Sequence, residues 1–595
     1  MQDREIPFRP FWVGLGALSA GFHLWLVFSG LTPNLVARPI HMALALPFAM
    51  VLTAKTRRGM IIGAALGAPG LFAALWVAMN SAALADQYGF LEGPLQTGLA
   101  AILLLTVLEM ARRSIGWPLP LVAALALAYG LFGHLVPGEF GHAGAPLASF
   151  LGTLTIAEGG LWGQLTGVSV SVVAIFVIFG AVLNAGEAGA GFMNLAGAAA
   201  GRLRGGAAKV SVLSSALFGS ISGSASANVA STGAVTLPAM RRLGYPPALA
   251  GAVEAVASSG GQIMPPLMGA GAFVMVKLTG APYEAIMAAA LLPALLYFAA
   301  VWIGVDGFAA RHGLSALPAE ERPAGRDVAV TSLFFAIPFG VLLWGMFFGG
   351  GDGYTPQYAA SLAIFAGAAL LLIGADGRID PRRSARRLAA ACFAAGRQVA
   401  MIASIILCAS IVIGVLSITG LGVKITSLIL SASGGALWPA LGLTALACLV
   451  LGMEVPTTAA YVICVSIAGP ALGDLGLAPL EAHLFVFWFA LLSTITPPVC
   501  GAVFIAAGMV GENWLKVAGV AMTLGVGLYL IPLAMIAHPA LIQLAETPGA
   551  ALLAGAQVLV GLALISRALI APGALGLRAA LAAAGLLLLF WPALV

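Results

Sequence analysis

Apolar residues run along this chain in blocks of about twenty, the length a helix needs to cross a hydrocarbon core, and short polar or basic turns separate them. The blocks lie near 11–30, 38–55, 60–84, 95–111, 116–135, 165–184, 246–280, 284–305, 329–350, 358–375, 397–419, 483–510, 517–537, 550–566 and 579–595. Two of them are interrupted at the middle by residues that end helices. One reads SSGGQIMPPLMGAG at 258–271 and the other LSTITPPVCGA at 492–502. Proline removes a backbone donor and blocks continuation, while glycine permits the φ angles of a turn. Unpaired backbone at membrane depth is tolerated only where it lines an enclosed or wet cavity, so both interruptions predict broken helices around a pocket.

Two further segments, 207–240 and 437–472, are about thirty-four residues long with polar centres, GSISGSASAN at 219–228 and GMEVPTT at 452–458. That pattern suits two half-helices meeting at a tip. A shift of 232 residues superposes 219–270 on 451–502 without a gap: Pro238 meets Pro470, Leu243-Gly244 meets Leu475-Gly476, and Pro247 meets Pro479. Ile263 meets Ile495, Pro265-Pro266 meets Pro497-Pro498, and Gly269-Ala270 meets Gly501-Ala502. About five crossings separate the copies, and an odd number turns the second upside down. Charge agrees, because Lys209, Arg241 and Arg242 flank the first segment while Asp474 and Glu481 follow the second. Inverted repeats with interrupted helices point to a secondary transporter. The expected fold class is an all-α polytopic membrane protein with inverted repeats, two re-entrant hairpins and two broken helices.

Composition makes the membrane unavoidable. Of 595 residues, 61% are hydrophobic and 8% charged, against about a quarter charged in a soluble chain. The net charge of +5 is no nucleic-acid signal, because the basic residues mark one side of the spans. They include Lys55, Arg57 and Arg58; Arg112 and Arg113; Arg202, Arg204 and Lys209; Arg241 and Arg242; Arg311, Arg322 and Arg326; and DPRRSARR at 380–387. With that side cytoplasmic, the N-terminus is inside and the loops at Asp86, Glu92 and Glu139 are outside. The five cysteines show no ligand spacing and imply neither disulfide nor metal. His23, His41 and Glu109 are polar exceptions in the first four spans and are read as structural. Arg397 is read as an interfacial anchor at the start of its span, and no arginine is expected in the core.

Half-helix N-termini offer N–H groups to an anion, and half-helix C-termini and unwound carbonyls offer oxygen to a cation. In the first copy Ser220, Ser222, Ser224, Asn228, Ser258, Ser259, Gly260, Gly261, Gln262 and Pro265 occupy these interruptions; in the second, Thr457, Thr458, Ser493, Thr494 and Thr496. A coupling cation is expected at Ser222, Asn228, Gly260, Thr458 and Thr494. Two acids stand apart: Glu454 at the second tip, open to roles as cation ligand, proton carrier or hydrogen-bonder, and Glu254 within the first broken span, read as structural. The serine-rich tip and His483 also admit an intramembrane serine protease, but His483 belongs near the outer surface and the tip near the midplane. A structural scaffold would leave the broken helices without a purpose.

The runs GRLRGGAAKVSVLSSALFGSISGSASANVASTGAVTLPAMRRLGYPP and AVEAVASSGGQIMPPLMGAGAFVM, then LGMEVPTTAAYV and AHLFVFWFALLSTITPP, resemble the large membrane subunit of tripartite ATP-independent periplasmic (TRAP) transporters. With EMARRSIGWPLP and YGLFGHLVPG, the chain resembles the TAXI-type permease in which small and large subunits are fused. The resemblance divides the chain into a four-helix scaffold at 1–114, a transport and scaffold region at 115–537 with repeats near 165–306 and 397–538, and two extra helices at 538–595. It implies an elevator mechanism in the bacterial inner membrane. It also implies a periplasmic TAXI-type substrate-binding protein, a small organic anion as substrate, sodium or a proton as coupling ion, and no other cofactor. Glu454 departs from the small or apolar residue expected after LGM. A stand-alone ion-coupled carrier without a binding protein would show the same hairpins, but not the fused bundle.

Overall fold

Eleven described helices are long and apolar enough to cross a membrane. The computed structural model describes residues 9–54, 56–351, 353–452, 456–498 and 500–591. Among them an isolated bridge from Ile373 to Ile379 is the only β pairing. A few helices begin at side-chain caps the sequence supplies. Thr56 accepts from the Gly59 N–H at 3.0 Å to start Arg57–Met79, and Asp380 accepts from the Arg382 N–H at 2.9 Å to start Pro381–Thr419.

That last helix corrects an expectation. It begins at Pro381, not near 397, and carries the basic run in its first turns. Arg397 lies well inside it, exposed, with its guanidinium 6.0 Å from the Phe393 ring centre. Hydropathy registers only the part of a helix that lipid or protein covers, so a charged extension is read as a loop.

The chain forms two compact units, each assembled from separated stretches. The first comprises 1–187, 336–435 and 454–471. Its axis is Pro381–Thr419, buried almost throughout from Val399 to Leu416. Around it pack Arg9–Phe28, Asn34–Pro47, Gly93–Ile115, Pro118–Phe132 and Ala174–Ala185. Ser114 meets Ser404 at 3.2 Å and Thr166 meets Ser410 at 3.3 Å, tying neighbours to this axis.

Polar residues inside this unit are satisfied locally. His23 Nδ1 bonds to Ser19 O at 2.6 Å, His23 Nε2 to His41 Nδ1 at 2.7 Å, and His41 Nε2 to Ser169 Oγ at 3.0 Å. Two neutral imidazoles fill that chain completely, with Ser169 donating at one end and Ser19 O accepting at the other. Glu109 accepts from Arg112 Nε at 2.6 Å and Arg113 Nε at 2.7 Å, while Arg113 Nη1 donates to Met50 O at 2.9 Å. Against expectation an arginine is buried: Arg38 donates to Glu158 at 3.2 Å and to Trp162 O.

The second unit comprises 188–335, 436–453 and 472–595. Its centre is built by Pro247–Gly260 and Pro479–Leu492, both buried on nearly every side; the second is almost wholly apolar, while the first carries Glu254, Ser258 and Ser259 inward. Pro247–Gly260 packs against Gly206–Ser222, Ala225–Arg242, Gly501–Val510 and Trp514–Leu524. Lys209, expected as a charge marker on the surface, is buried with its Nζ 2.9 Å from Asp306 and 5.1 Å from the Trp302 ring centre. The two final helices, Pro548–Ile570 and Leu575–Phe590, pack on each other, and the first of them covers Tyr283–His312. His538 Nε2 holds the last helix through a bond to Leu589 O at 2.9 Å.

The duplication is visible in the helix boundaries. Ala225–Arg242 recurs as Thr457–Asp474 and Pro247–Gly260 as Pro479–Leu492, with both ends displaced by the same 232 residues. Gly269–Thr279 recurs as Gly501–Val510, ending one residue short of its counterpart. Both Pro-Pro bonds, Pro265-Pro266 and Pro497-Pro498, are cis.

Candidate functional site

The first hairpin consists of Gly206–Ser222 and Ala225–Arg242, packed together and turned at Gly223, whose φ is +60°. Only glycine adopts that angle freely. Ser224 caps the second arm, accepting from the Ala227 N–H at 3.4 Å, and the buried Ser220 hydroxyl donates to Leu217 O at 2.7 Å. The first arm, Gly206–Ser222, crosses the first break at Gly219 and Gly261. A Cβ on Gly219 would stand 2.3 Å from the Gly261 Cα, and one on Gly261 would stand 2.4 Å from the Gly219 Cα. The Asn228 amide closes this crossing, donating to Ser215 O at 3.0 Å from a fully buried position.

The first break spans 261–268 and the second lies in 493–500, inside the spans the sequence predicted. They meet through side chains: Thr494 Oγ1 lies 2.7 Å from Ser259 Oγ and can donate to it, while Ser259 donates to Ala255 O at 2.8 Å. Around the breaks, Gly260 is pressed on Tyr297, whose hydroxyl donates to Val256 O at 2.7 Å. Ser493 donates to Ala490 O at 2.8 Å, and Thr496 bonds to the Tyr529 hydroxyl at 2.6 Å. Gln262 is buried and Pro265 half-buried in the first break.

The hairpin tip reaches both half-helices that follow the breaks. A Cβ on Gly223 would lie 2.9 Å from the Gly269 Cα, and one on Gly501 would lie 3.6 Å from Ser226 Oγ. The arm Leu437–Gly452 ends in the same neighbourhood, since a Cβ on Gly452 would lie 3.1 Å from the Ser493 Cβ. Position 493 is the repeat counterpart of 261, and Gly452 is that of Ser220, so the second copy has a contact one residue away from the first crossing and made to a side chain. Two helix N-termini, at Gly269 and Gly501, therefore face a polar tip, an arrangement able to offer partial positive charge to an anion. Ser226 was missed by the sequence reading, although it stands in the same polar run.

Glu254 also departs from expectation in the density of its surroundings. It is fully buried, and its carboxyl oxygens meet Ser211 at 2.7 Å, Thr236 at 2.5 Å, Ser215 and Ser258 at 3.4 Å, and Thr232. These hydroxyls come from three helices of the unit. Hydropathy marked the acid but could not show that serines and threonines scattered over 211–258 converge on it.

Not every predicted residue can be placed there. Glu454 and the side chain of Ser222 lie outside the described residues. Thr457 and Thr458 open the helix Thr457–Asp474, half-buried, in the other compact unit. His483 is the fifth residue of Pro479–Leu492. A cavity of about 310 Å³ lies between Gly197, Arg202, Arg322 and Val328, and none of the predicted residues lines it.

Residues 102–550 match the family described as "Tripartite ATP-independent periplasmic transporter, DctM component". The chain is 25% identical to the C4-dicarboxylate TRAP transporter large permease protein DctM of Pseudomonas aeruginosa, over 57% of this chain and 77% of that one. It is 26% identical to the isethionate TRAP transporter permease protein DctMQ of Oleidesulfovibrio alaskensis, over 60% of this chain and 54% of the relative. To the uncharacterized protein YgiK of Salmonella typhimurium it is 30% identical, over 35% of this chain and 47% of the relative. The chain thus spans about half the length of two of these three relatives.

Proposed function

Since the chain belongs to the DctM-component family of tripartite ATP-independent periplasmic transporters, a family of permeases and not of enzymes, we propose that it takes up a small organic anion by ion-coupled secondary transport. The observation that carries this reading is the junction of the two breaks. Ser259 and Thr494 touch, with the Gly219–Gly261 crossing beside them and the half-helix starts at Gly269 and Gly501 facing the first hairpin tip. Anion binding there uses helix ends, hydroxyls and the Gln262 amide. Two relatives carry the names of a C4-dicarboxylate and of isethionate, and both names denote small anions.

Transport is proposed to follow an elevator mechanism. The first hairpin and both broken helices belong to one compact unit and the four N-terminal helices to the other, while the second hairpin is divided between the two after residue 453. Sodium is the proposed coupling ion, held by Ser222, Asn228, Gly260 and Thr494, with Glu454 in line for the role if a proton drives transport instead. A periplasmic binding protein of TAXI type, suggested by the sequence resemblance, would deliver the substrate to this multi-pass inner-membrane chain, whose basic loops favour a cytoplasmic N-terminus.

The test is uptake by vesicles containing the purified chain, with and without the binding protein. Radiolabelled dicarboxylates, 2-oxoacids and sulfonates are supplied under a sodium gradient or a proton gradient. Uptake that needs the binding protein and a sodium gradient supports the reading. Full uptake without the binding protein would favour the stand-alone carrier, and no uptake of any anion under either gradient would reject it.

A further inference from the structure

Five hydroxyls surround the Glu254 carboxyl group, and among the described residues no basic side chain reaches it. Ser211 and Ser215 come from the first hairpin arm, Thr232 and Thr236 from the second, and Ser258 from the turn that follows Glu254 on its own helix. The charged and titratable groups on the packed elements are engaged elsewhere. Lys209 pairs with Asp306 at 2.9 Å, Arg241 donates to Val510 O at 2.5 Å, and Arg242 reaches Glu321 at 3.3 Å. Lys516 pairs with Glu512 at 3.4 Å, the Tyr297 hydroxyl donates to Val256 O, and Arg311 donates to Ile570 O. Glu284 and His312 lie at opposite ends of Tyr283–His312. Among the described residues, every hydrogen bond to the Glu254 carboxyl group comes from a hydroxyl.

Such a cage can satisfy two protonation states without moving a heavy atom. A carboxylate accepts up to about four hydrogen bonds, which the five hydroxyls can supply. A carboxylic acid must instead donate one. Thr232 and Thr236 can then act as acceptors, because each has a second place for its own hydrogen: Asn228 O at 2.8 Å from Thr232 and Thr232 O at 3.0 Å from Thr236. We infer that Glu254, with Ser211, Thr232 and Thr236, forms a proton-binding site between the first hairpin and the first broken helix.

One proton taken from water converts the carboxylate to the acid and reverses the direction of hydrogen bonding through Thr232. That hydroxyl also lies 3.3 Å from Asn228 Oδ1, and the Asn228 amide closes the Gly219–Gly261 crossing through Ser215 O. On the other side, Ser258 adjoins Ser259, the residue that touches Thr494. The site therefore reaches both contacts that hold the breaks together. Glu254 is a positioning residue, and its consequence for uptake rests on the transport reading above.

The proton itself can be observed without any substrate. Infrared difference spectra of the full-length chain in lipid vesicles, titrated between about pH 5 and pH 10, should show a protonated-carboxyl C=O band that grows as pH falls. Glu254→Gln should remove that band. Thr236→Val should move its midpoint upward by about one pH unit, because the lost donor no longer stabilises the charged form. If Glu254→Gln does not fold, the Thr236→Val shift alone decides. A carboxyl band unchanged by the variant that folds, or no titrating band in this range, overturns the proposal. If the band behaves as expected while the unaltered chain takes up no anion, the transport reading fails and the proton site stands. If uptake is present, its pH profile should flatten in Glu254→Gln, and an unaltered profile would overturn the coupling.

Discussion

Gly219 and Gly261 constrain the site at the scale of single residues, because each faces the other's backbone and no rotamer change can make room. Gly261→Ala should lower stability by about 1–3 kcal/mol, read as a fall in the thermal unfolding midpoint of the detergent-purified chain. Gly508→Ala, with nothing within 4 Å of the added methyl, should leave that midpoint unchanged. The histidine chain belongs to the same scale. His41→Phe strands the His23 ring nitrogen and the Ser169 hydroxyl in a buried site, at a cost of about 1–3 kcal/mol. Because both imidazoles are satisfied in the neutral form, the pH profile of uptake should not move. These residues were visible as glycines and histidines in the sequence. Their partners were not, since Gly261 and Ser169 reach Gly219 and His41 only through helix packing.

At the scale of elements, the two broken helices act through each other. Ser259→Ala and Thr494→Val, made singly and together, should show a coupling of about 1 kcal/mol in unfolding experiments; additive effects would mean that the hydroxyl contact contributes nothing. The breaks and the hairpin turns were legible from Gly-Gly, Pro-Pro and the 232-residue shift, because helix-ending residues act locally and leave a local mark. The extent of Pro381–Thr419 was not. Its charged first turns look like a loop to hydropathy, yet Asp380 and Pro381 cap a helix that runs through them. Leu421–Ala432 was missed as well, being too short to stand out as a span.

For the whole molecule, the duplicated unit carries the main expectation. If the second copy is inverted, single cysteines introduced at Leu203 and Gly244 in a cysteine-free background should react with a membrane-impermeant reagent from one face. Cysteines at Gly435 and Gly476 should react from the other. Labelling of all four from one face would remove the inverted arrangement and, with it, the proposed opposition of the two hairpins. The two C-terminal helices acquire a place at this scale, since Pro548–Ile570 covers Tyr283–His312 and Arg311 donates to Ile570 O at 3.4 Å.

By itself the sequence determined that the chain lives in a membrane, where its helices break, and that one unit occurs twice. Each of these depends on the order of apolar, proline and glycine residues along a short stretch, or on a comparison of the chain with itself. Only the tertiary structure decided that five hydroxyls converge on Glu254, that Ser259 meets Thr494, and that Lys209 is buried against Asp306 rather than exposed. Those contacts join residues from different helices, and their distances follow from packing that periodicity does not encode.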